Sequence, residues 1–445
     1  MEHLLNGYKQ LDPTTWVYLS SLLTIAIYFK FSRVWSVRNL DLLGLIALAP
    51  GLQLAQMSGT TQQIGFVWLF CVSGFFLIRL LMDPMMVRRP LLEPNLSPGG
   101  LTFIGVSLLV FLMVNVVTKK PTESDLDGAR RSDEIVSRSS TPEGDASLAQ
   151  HGPGYPLLYL VASIPNKTLV KNDADGDPDA PNQSGLSVHE ATARSMAILS
   201  HLAVVIGIVA IGARHFDNVR TGISAAALYL MLPYTALMTG RVDHVLPAAL
   251  LVWAVFAYRR PAIAGGLLGL AAGAIYYPVF LLPLWLGFYW QRGLFRFTLG
   301  FLTTLAVLVA TLAFTSNNLD AFLAQTKQMF GWTSLSPEHV EGFWAFNEAA
   351  GPYRISVLAA FAVLCGGLAL WPARKNLGTL LSCSAAVMLG TQFWHAQGGG
   401  LYMCWYLPLL LLTIFRPNLE DRIALSVLGE SWFGKRRTHL RIKAA

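Results

Sequence analysis

A short polar cluster, Arg241-Val-Asp243-His244, begins an apolar run in the second half of the sequence. Ionisable side chains are costly inside a membrane and usually face a cavity there. A carboxylate beside a guanidinium and an imidazole can take part in proton transfer or in binding a charged substrate. The same residues could instead form an Arg–Asp pair at a helix start, where the helix dipole favours Asp243. Both interpretations are open from the sequence.

Two further places combine aromatic and polar side chains. The first surrounds His395 and is followed by Tyr402 and Trp405. The second is the stretch 316–353, whose amides, acids and aromatic residues include Trp332, His339 and Trp344. Aromatic rings with a few polar groups suit a sugar or a lipid headgroup. Aromatic residues at membrane boundaries also form an interfacial belt, which is the simpler interpretation.

An acidic run places carboxylates at alternate positions, namely Asp173, Asp175, Asp177 and Asp179. Oxygen-rich loops of this kind suit Ca²⁺, which prefers several oxygen ligands. The run departs from the EF-hand loop, because its glycine is the fourth residue and the twelfth is Ser184 rather than glutamate. A divalent cation site and a solvated acidic loop are both open, and no other cofactor is expected. The Walker, HExxH and GxSxG motifs do not occur.

Composition identifies the class of protein. The chain has 445 residues, of which 53% are hydrophobic and 13% charged, whereas soluble domains contain about 25% charged residues. Apolar runs of membrane-spanning length recur along most of it. The net charge of +7 lies in short basic clusters at the ends of these runs, as topology signals do. The sequence therefore predicts an all-α, polytopic membrane protein that contacts the lipid bilayer and no nucleic acid.

The apolar runs predict a bundle of about 13 transmembrane helices. They lie at 14–31, 39–57, 64–82, 100–118, 193–213, 221–238, 244–258, 262–275, 279–290, 297–315, 354–372, 377–394 and 400–415. They divide the chain into an N-terminal block of four helices at 1–118, an acidic loop at 119–191, a core of about nine spans at 192–415 and a basic tail at 416–445.

The basic turns indicate the orientation of the bundle. With the turn at Lys30–Arg38 on the cytoplasmic side, most other basic clusters fall on the same side, which places the N-terminus outside and the C-terminus inside. The loop 119–191, Arg241–Asp243, the turn at Tyr276, the loop 316–353 and the turn at His395 then share the outer face. This assignment needs the chain to reverse at Tyr276, between two short helices.

The acidic loop changes character along its length. Residues 119–150 are highly charged and cannot bury enough apolar area to order themselves alone. Residues 154–165 are too short to span a bilayer and suit an interfacial or re-entrant helix, with Tyr155 and Tyr159 at headgroup level. Asn166 and Asn182 fit the N-glycosylation acceptor pattern.

Three stretches share a pattern with known membrane enzymes: Gly152-Pro-Gly-Tyr-Pro-Leu-Leu-Tyr159, Arg241-Val-Asp243-His-Val-Leu-Pro, and the series from Arg259-Arg-Pro through Gly265-Gly-Leu-Leu-Gly to Leu282-Pro283. Residues 151–415 thereby resemble the GT-C superfamily of membrane glycosyltransferases. The resemblance is strongest to its prokaryotic, mannosyltransferase-like members, which use polyprenyl-phosphate sugars.

The resemblance implies an integral membrane glycosyltransferase of the cell envelope. It would move a sugar from a lipid-linked polyprenyl-phosphate donor to an extracytoplasmic acceptor, with a catalytic carboxylate on the first large outer loop. Asp125 and Asp127 match that position best, Asp133 and Glu134 are the next candidates, and Asp243 is a further catalytic candidate. The substrate contacts that we expect are Tyr155, Tyr159, Arg241, His244, Tyr276, Trp332, His339, Trp344 and His395.

The chain departs from the family pattern in two ways. Tyr276 stands where the family has a lysine, and four predicted spans precede the acidic loop, whereas the family's acid follows the first span of its core. One alternative is a catalytically inactive relative that binds a lipid-linked glycan or scaffolds an envelope complex. A third hypothesis is a transporter, for which internal repeats and charged or broken helices near the midplane would be expected.

Overall fold

The computed structural model describes residues 12–86, 92–137, 152, 154–174, 188–315, 319, 322–323, 326, 340–346, 351–373 and 375–417. Every regular element in these ranges is helical, as the sequence predicts. The α-helices are α1 (Pro13–Tyr28), α2 (Val37–Ala55), α3 (Thr60–Leu81), α4 (Pro98–Thr118), α5 (Glu123–Ser137), α6 (Gly154–Ala174), α7 (Val188–His215), α8 (Val219–Met231), α9 (Pro233–Leu237), α10 (Val242–Phe256), α11 (Pro261–Ala274), α12 (Leu282–Tyr289), α13 (Leu294–Thr315), α14 (Gly351–Leu370), α15 (Leu377–Thr391) and α16 (Leu407–Phe415). Short 3₁₀ helices cover Phe31–Arg33, Asp83–Met85, Tyr277–Leu281, Gly342–Ala345 and Met403–Trp405.

The helices are those of a membrane protein. Within the described ranges, five are long and apolar enough to cross a membrane: Thr60–Met85, Pro98–Thr118, Val188–His215, Leu294–Phe314 and Tyr353–Leu370. Five shorter apolar helices accompany them. Each predicted span overlaps a helix, while the number of true spans and their orientation stay predictions.

Local sequence explains where several helices begin. Asp12 accepts a hydrogen bond from the Thr14 amide at 3.1 Å, and Pro13 follows it as the first residue of α1. Asn376 caps α15 in the same way, accepting from the Thr379 amide at 2.8 Å. Such caps satisfy the amide groups that a helix start leaves without partners.

Glycine brings α11 and α13 into close contact. A Cβ atom added at Gly265 would lie 2.1 Å from the Phe297 carbonyl oxygen, and one at Gly300 would lie 2.1 Å from that of Ala262. Only a residue without a side chain permits this backbone approach. The glycine-rich stretch after Pro261 is therefore explained by helix packing.

The chain reverses direction at Tyr276-Tyr277-Pro278, as the predicted orientation requires. The hydroxyl of Tyr289, at the end of α12, donates to the Tyr258 carbonyl at 2.7 Å, which lies just before α11 begins. The Tyr289 ring also stacks on Phe297 near the start of α13. The end of α12 has thus returned to the level at which α11 starts.

The N-terminal block and the following helices share one hydrophobic core, which extends from Ile27 to Phe415. Polar contacts join the two parts as well. Ser20 donates to the Met231 carbonyl at 2.7 Å, and the Tyr28 hydroxyl donates to that of Ser224 at 2.8 Å. These contacts leave the predicted domain boundaries untested.

A buried ion network closes one end of the bundle. Arg79 binds Asp41 and Asp83, each at 2.9 Å, and Arg416 binds the other oxygen of Asp83 at 2.6 Å. All four side chains are at most 8% exposed. Two cations compensate two carboxylates, which is the condition under which charges are tolerated in an interior.

The acidic loop is more ordered than its composition suggests. Its residues 123–137 form α5, which packs against α6 and α7. The interfacial element predicted at 154–165 is longer than expected, because α6 continues through Pro165 to Ala174. Tertiary packing therefore supplies the apolar contacts that residues 123–137 lack by themselves.

Candidate functional site

Most of the polar groups that were predicted for the outer face meet at one end of the bundle. This end is formed by the start of α5, the turn before α10, the turn after α11, residues 340–346 and the turn between α15 and α16. The Gly152 amide donates to the Ala274 carbonyl at 2.9 Å, and the Glu341 amide donates to that of Ala396 at 2.8 Å. These bonds hold distant parts of the sequence together here.

Arg241 and Asp243 form a two-point ion pair at the start of α10. Arg241 donates from Nε to Oδ1 at 2.9 Å and from Nη2 to Oδ2 at 2.6 Å. Asp243 is buried, whereas 31% of the Arg241 side chain is exposed. Burial lowers the pKa of Arg241, but the charge and hydrogen bonds of Asp243 outweigh it, so the pKa is raised above its ordinary value. The guanidinium is therefore a permanent cation at the surface of this end.

A group of stacked rings lies beneath the ion pair. We call it the aromatic cluster, and its members are His244, Tyr277, His395, Tyr402 and Trp405. The His244 and Trp405 rings both stack on Tyr402, with centroids 4.5 Å away in each case. The Trp405 indole donates to the Asp243 carbonyl at 3.1 Å. The cluster thereby fixes the start of α10 and the side chains that it carries.

His395 is a neutral member of the aromatic cluster. Burial lowers its pKa to about 3, and the nearby positive charge of Arg354 adds to this effect. Its Nδ1 accepts a hydrogen bond from the Gln397 amide at 3.1 Å. His395 therefore stays uncharged at neutral pH and serves as a packing and hydrogen-bonding group.

Asp125 lies at the start of α5 and lines a pocket, here called the acid pocket. Thr122 donates to its Oδ2 from the backbone nitrogen at 2.9 Å and from the hydroxyl at 2.7 Å. Its Oδ1 is buried and has no hydrogen-bond partner among the described residues. A Cβ added at Gly240 would lie 3.4 Å from the carboxylate, so Asp125 sits beside the turn that carries Arg241.

Three cationic residues share the acid pocket with Asp125: Lys119, Lys120 and Arg194. Arg194 donates from Nη2 to the Lys119 carbonyl at 3.3 Å, and its Nε is buried with no hydrogen-bond partner in the described part of the chain. Sequence reasoning did not select these residues. The signal was present, because Arg194 is a charge just inside the predicted span 193–213.

The other acids of α5 lie elsewhere. Asp127 is half-buried and is not among the residues that line the acid pocket. Asp133 pairs with His189 at 2.7 Å, and Glu134 with Arg131 at 3.3 Å. Of the predicted acids on this helix, Asp125 alone lines that pocket.

Tyr155 and Tyr159 are buried inside the protein, and their predicted place at headgroup level stays a prediction. Both side chains are at most 3% exposed, and their hydroxyl groups are 3.0 Å apart. Their rings pack against Gly128, where an added Cβ would lie 2.4 Å from Tyr159. The helix α5 covers them, which the sequence did not indicate because α5 is rich in charged residues and polar on average.

Gly152, just before α6, and Gly154, the first residue of α6, have a packing role. Added Cβ atoms at Gly152 and Gly154 would lie 2.2 Å and 2.9 Å from the backbone of Gly273. The start of α6 therefore rests directly on the end of α11. Tyr155 and Tyr159 form part of the wall between these helices, and their predicted contact with substrate stays a prediction.

The remaining predicted residues are placed as follows. Tyr276 is half-buried and packs against Tyr277 and Phe280. Trp344 is buried and donates from Nε1 to the Phe393 carbonyl at 3.0 Å. Outside the described residues are Trp332, His339, Asp175, Asp177, Asp179, Asn182 and the side chain of Asp173. Within the described residues, no three His, Cys, Asp or Glu side chains are grouped to hold a metal ion.

Comparison with known proteins identifies the family that this end of the bundle resembles. Residues 185–393, a little less than half of the chain, match the model of Glycosyltransferase family 87. The matched segment contains Arg194, Gly240 and the Arg241–Asp243 pair. The GT-C-like resemblance seen in the sequence is consistent with this family and is confirmed. No curated protein matches the chain.

Proposed function

Because residues 185–393 match a glycosyltransferase family, we propose that this chain transfers a sugar from a polyprenyl-phosphate donor to an acceptor hydroxyl outside the cytoplasmic membrane. The observation that carries the proposal is the acid pocket. There the buried Asp125 carboxylate lies among three cationic side chains and beside the turn that carries Arg241.

Asp125 is the carboxylate that we assign as general base. The acceptor oxygen attacks the anomeric carbon of the donor sugar, while the bond from that carbon to the phosphate oxygen breaks. The hydroxyl proton passes to Asp125, and polyprenyl phosphate leaves with the bonding electron pair. Thr122 holds Oδ2 in place, so Oδ1 is the oxygen suited to accept the proton.

Cationic groups would stabilise the phosphate that is released. Lys119, Lys120 and Arg194 line the pocket, and positive charge placed before the reaction lowers the cost of developing negative charge. Arg241 uses Nε and Nη2 to bind Asp243, which leaves Nη1 for a phosphate oxygen. Both oxygens of Asp243 accept from Arg241, so we assign Asp243 to positioning this arginine instead of to proton transfer.

The lipid-linked donor also indicates where the acid pocket lies. A donor carried on a polyprenyl chain lies in the bilayer, so the acid pocket has to open at the membrane surface. The multi-pass bundle would sit in the cell membrane, with residues 119–191 on the extracytoplasmic side and the acceptor in the cell envelope. The clustering of basic turns at the opposite ends of the helices supports this orientation.

The test is transfer from a panel of radiolabelled polyprenyl-phosphate sugars in membranes that contain the protein. Asp125→Asn is expected to lower kcat by about 10²- to 10⁴-fold, the usual contribution of a general base. Glu123→Gln is the matched control, because Glu123 is on the same helix with 79% of its side chain exposed. Loss of activity in Asp127→Asn with full activity in Asp125→Asn would move the catalytic role to Asp127. Absence of transfer from every donor would refute the enzyme proposal.

One observation favours a second function, which is binding of a lipid-linked glycan without transfer. Tyr276 replaces the lysine of the family pattern, and its ring packs against Tyr277 and Phe280. This position therefore supplies no cation to a phosphate. A protein with this function would bind a polyprenyl-phosphate sugar in a direct binding measurement and release no product, and Asp125→Asn would leave its affinity unchanged.

A further inference from the structure

A second pocket lies between α1, α4 and α9. We call it the N-terminal pocket, and its lining consists of Pro13, Trp16, Phe111, Asn115, Lys119, Ala236, Leu237 and Thr239. Helices α1 and α4 lie outside residues 185–393, the segment that matches the glycosyltransferase family. This pocket is therefore built largely by a part of the chain to which the comparison assigns nothing.

The N-terminal pocket combines an aromatic wall with polar groups that need partners. Trp16 and Phe111 stack with ring centroids 5.3 Å apart and planes 13° apart. Trp16 Nε1 and Asn115 Oδ1 are both buried, and neither has a hydrogen-bond partner among the described residues. A buried donor and a buried acceptor left in this state destabilise a protein unless something satisfies them.

The N-terminal pocket adjoins the acid pocket. Lys119 and Thr239 line both. The two pockets therefore meet at Lys119 and Thr239, and Asp125 lines the acid pocket. A site that served only to anchor lipid would not need to adjoin the acid pocket.

We propose that the N-terminal pocket binds the terminal sugar of the acceptor, which rests on the transferase function proposed above. A sugar presents C–H groups that pack on aromatic rings and hydroxyl groups that both donate and accept hydrogen bonds. Its hydroxyls would accept from Trp16 Nε1 and donate to Asn115 Oδ1. The acceptor would then enter beside the N-terminal block and present one hydroxyl to Asp125.

Photolabelling tests the site without any need for activity. The probes are octyl mannoside, octyl glucoside and octyl galactoside, each with a diazirine in its alkyl chain, applied to the protein in nanodiscs. At least one is expected to label peptides from α1 or α4, and the free methyl glycoside should compete. Trp16→Phe, which keeps a ring but removes the N–H, and Asn115→Leu should each weaken labelling about three- to tenfold. Trp35→Phe is the control, because Trp35 is 86% exposed, follows the other end of α1 and does not line the pocket.

Labelling confined to other helices, labelling unchanged in both pocket variants, or no labelling by any probe would overturn the proposal. A thermal unfolding curve shows whether each variant is folded before it is labelled. Kinetics then separate this proposal from the transferase function. If wild type transfers sugar, Asn115→Leu should raise the acceptor KM about three- to tenfold with kcat and donor KM unchanged. An unchanged acceptor KM would refute the acceptor site alone, whereas labelling of the pocket in a protein with no transfer would refute the transferase function alone.

Discussion

Arg241 holds the Asp243 carboxylate with two parallel hydrogen bonds, 2.9 Å and 2.6 Å long. The pair spans only two residues of sequence, at the first turn of α10. Two-point binding fixes the plane of the guanidinium as well as its distance. The position of the exposed part of Arg241 is thus determined by a buried acid.

Arg241→Lys is expected to reduce function more than stability. Lysine keeps the positive charge but cannot bind a carboxylate through two nitrogens. We expect donor KM to rise by about tenfold, equivalent to about 1.4 kcal/mol. The measurement is steady-state transfer with varied donor. Asp243→Asn should have a similar effect if Asp243 positions Arg241, and a loss of kcat alone in Asp243→Asn would instead assign proton transfer to Asp243.

His395 is expected to make stability depend on pH. Burial lowers its folded pKa to about 3, below the ordinary value of about 6.5. Its contribution is present in full above pH 6.5 and is lost as pH falls from there toward 3, because the unfolded chain then binds a proton that the folded chain excludes. The Tm of the wild-type protein should decrease as the pH is lowered from 7.5 to 5.

His395→Phe keeps the aromatic packing and removes the titrating group. Its Tm should change less than that of wild type across the same pH interval. Equal slopes for the two proteins would show that other groups cause the acid sensitivity.

Gly152→Ala tests the packing role of the Gly-Pro-Gly stretch. The new Cβ would lie 2.2 Å from the Gly273 carbonyl oxygen, and backbone cannot move aside as a flexible side chain can. We expect a loss of about 1–3 kcal/mol, as for other overpacked positions. The measurement is chemical denaturation in detergent micelles.

Gly74→Ala is the matched control for Gly152→Ala. No atom lies within 4 Å of a Cβ added at Gly74, which is in the middle of α3. Alanine is favoured over glycine in helices, so this variant should be as stable as wild type or slightly more stable. Equal destabilisation of both variants would contradict the packing explanation.

Asp83→Leu should be among the most destabilising single changes in the described part of the chain. It removes the carboxylate that compensates the buried Arg79 and Arg416 side chains, at a cost of about 3–5 kcal/mol. Glu123→Gln, which removes an exposed pair with Arg130, should cost about 0–1 kcal/mol.

A double change distinguishes an ion network from simple loss of packing at Asp83. Adding Arg416→Met to Asp83→Leu should recover part of the stability, because it removes one uncompensated cation. Additive losses would show that the charges do not interact. Thermal unfolding of the four proteins completes this cycle.

The helices could be predicted from the sequence because apolar runs and proline and glycine positions mark their limits. The reversal at Tyr276 was also predictable, since the basic turns on either side require it. The meeting of Asp125 with the turn at Arg241 follows from placing both on one face. In each case a one-dimensional signal is sufficient.

The burial of Tyr155 and Tyr159 could not be predicted. It depends on Gly128, a small residue in a segment that is rich in charged side chains. Lys119 and Lys120 of the acid pocket were missed for a related reason, because they resemble ordinary residues at a helix end. Contacts between distant segments decide both cases.

The ion network also sets an order for biosynthesis. Asp83 and its partner Arg416 are separated by 333 positions, so the ribosome needs on the order of tens of seconds to make the second after the first. Until then Asp41 and Asp83 share Arg79 as their only partner within the network, which therefore carries one excess negative charge. Synthesis of Arg416, directly after α16, thus completes the compensation of a network that begins in the N-terminal helices. A chain that stops at residue 415 should accordingly be degraded faster in cells than the full-length protein, which a pulse–chase experiment would measure.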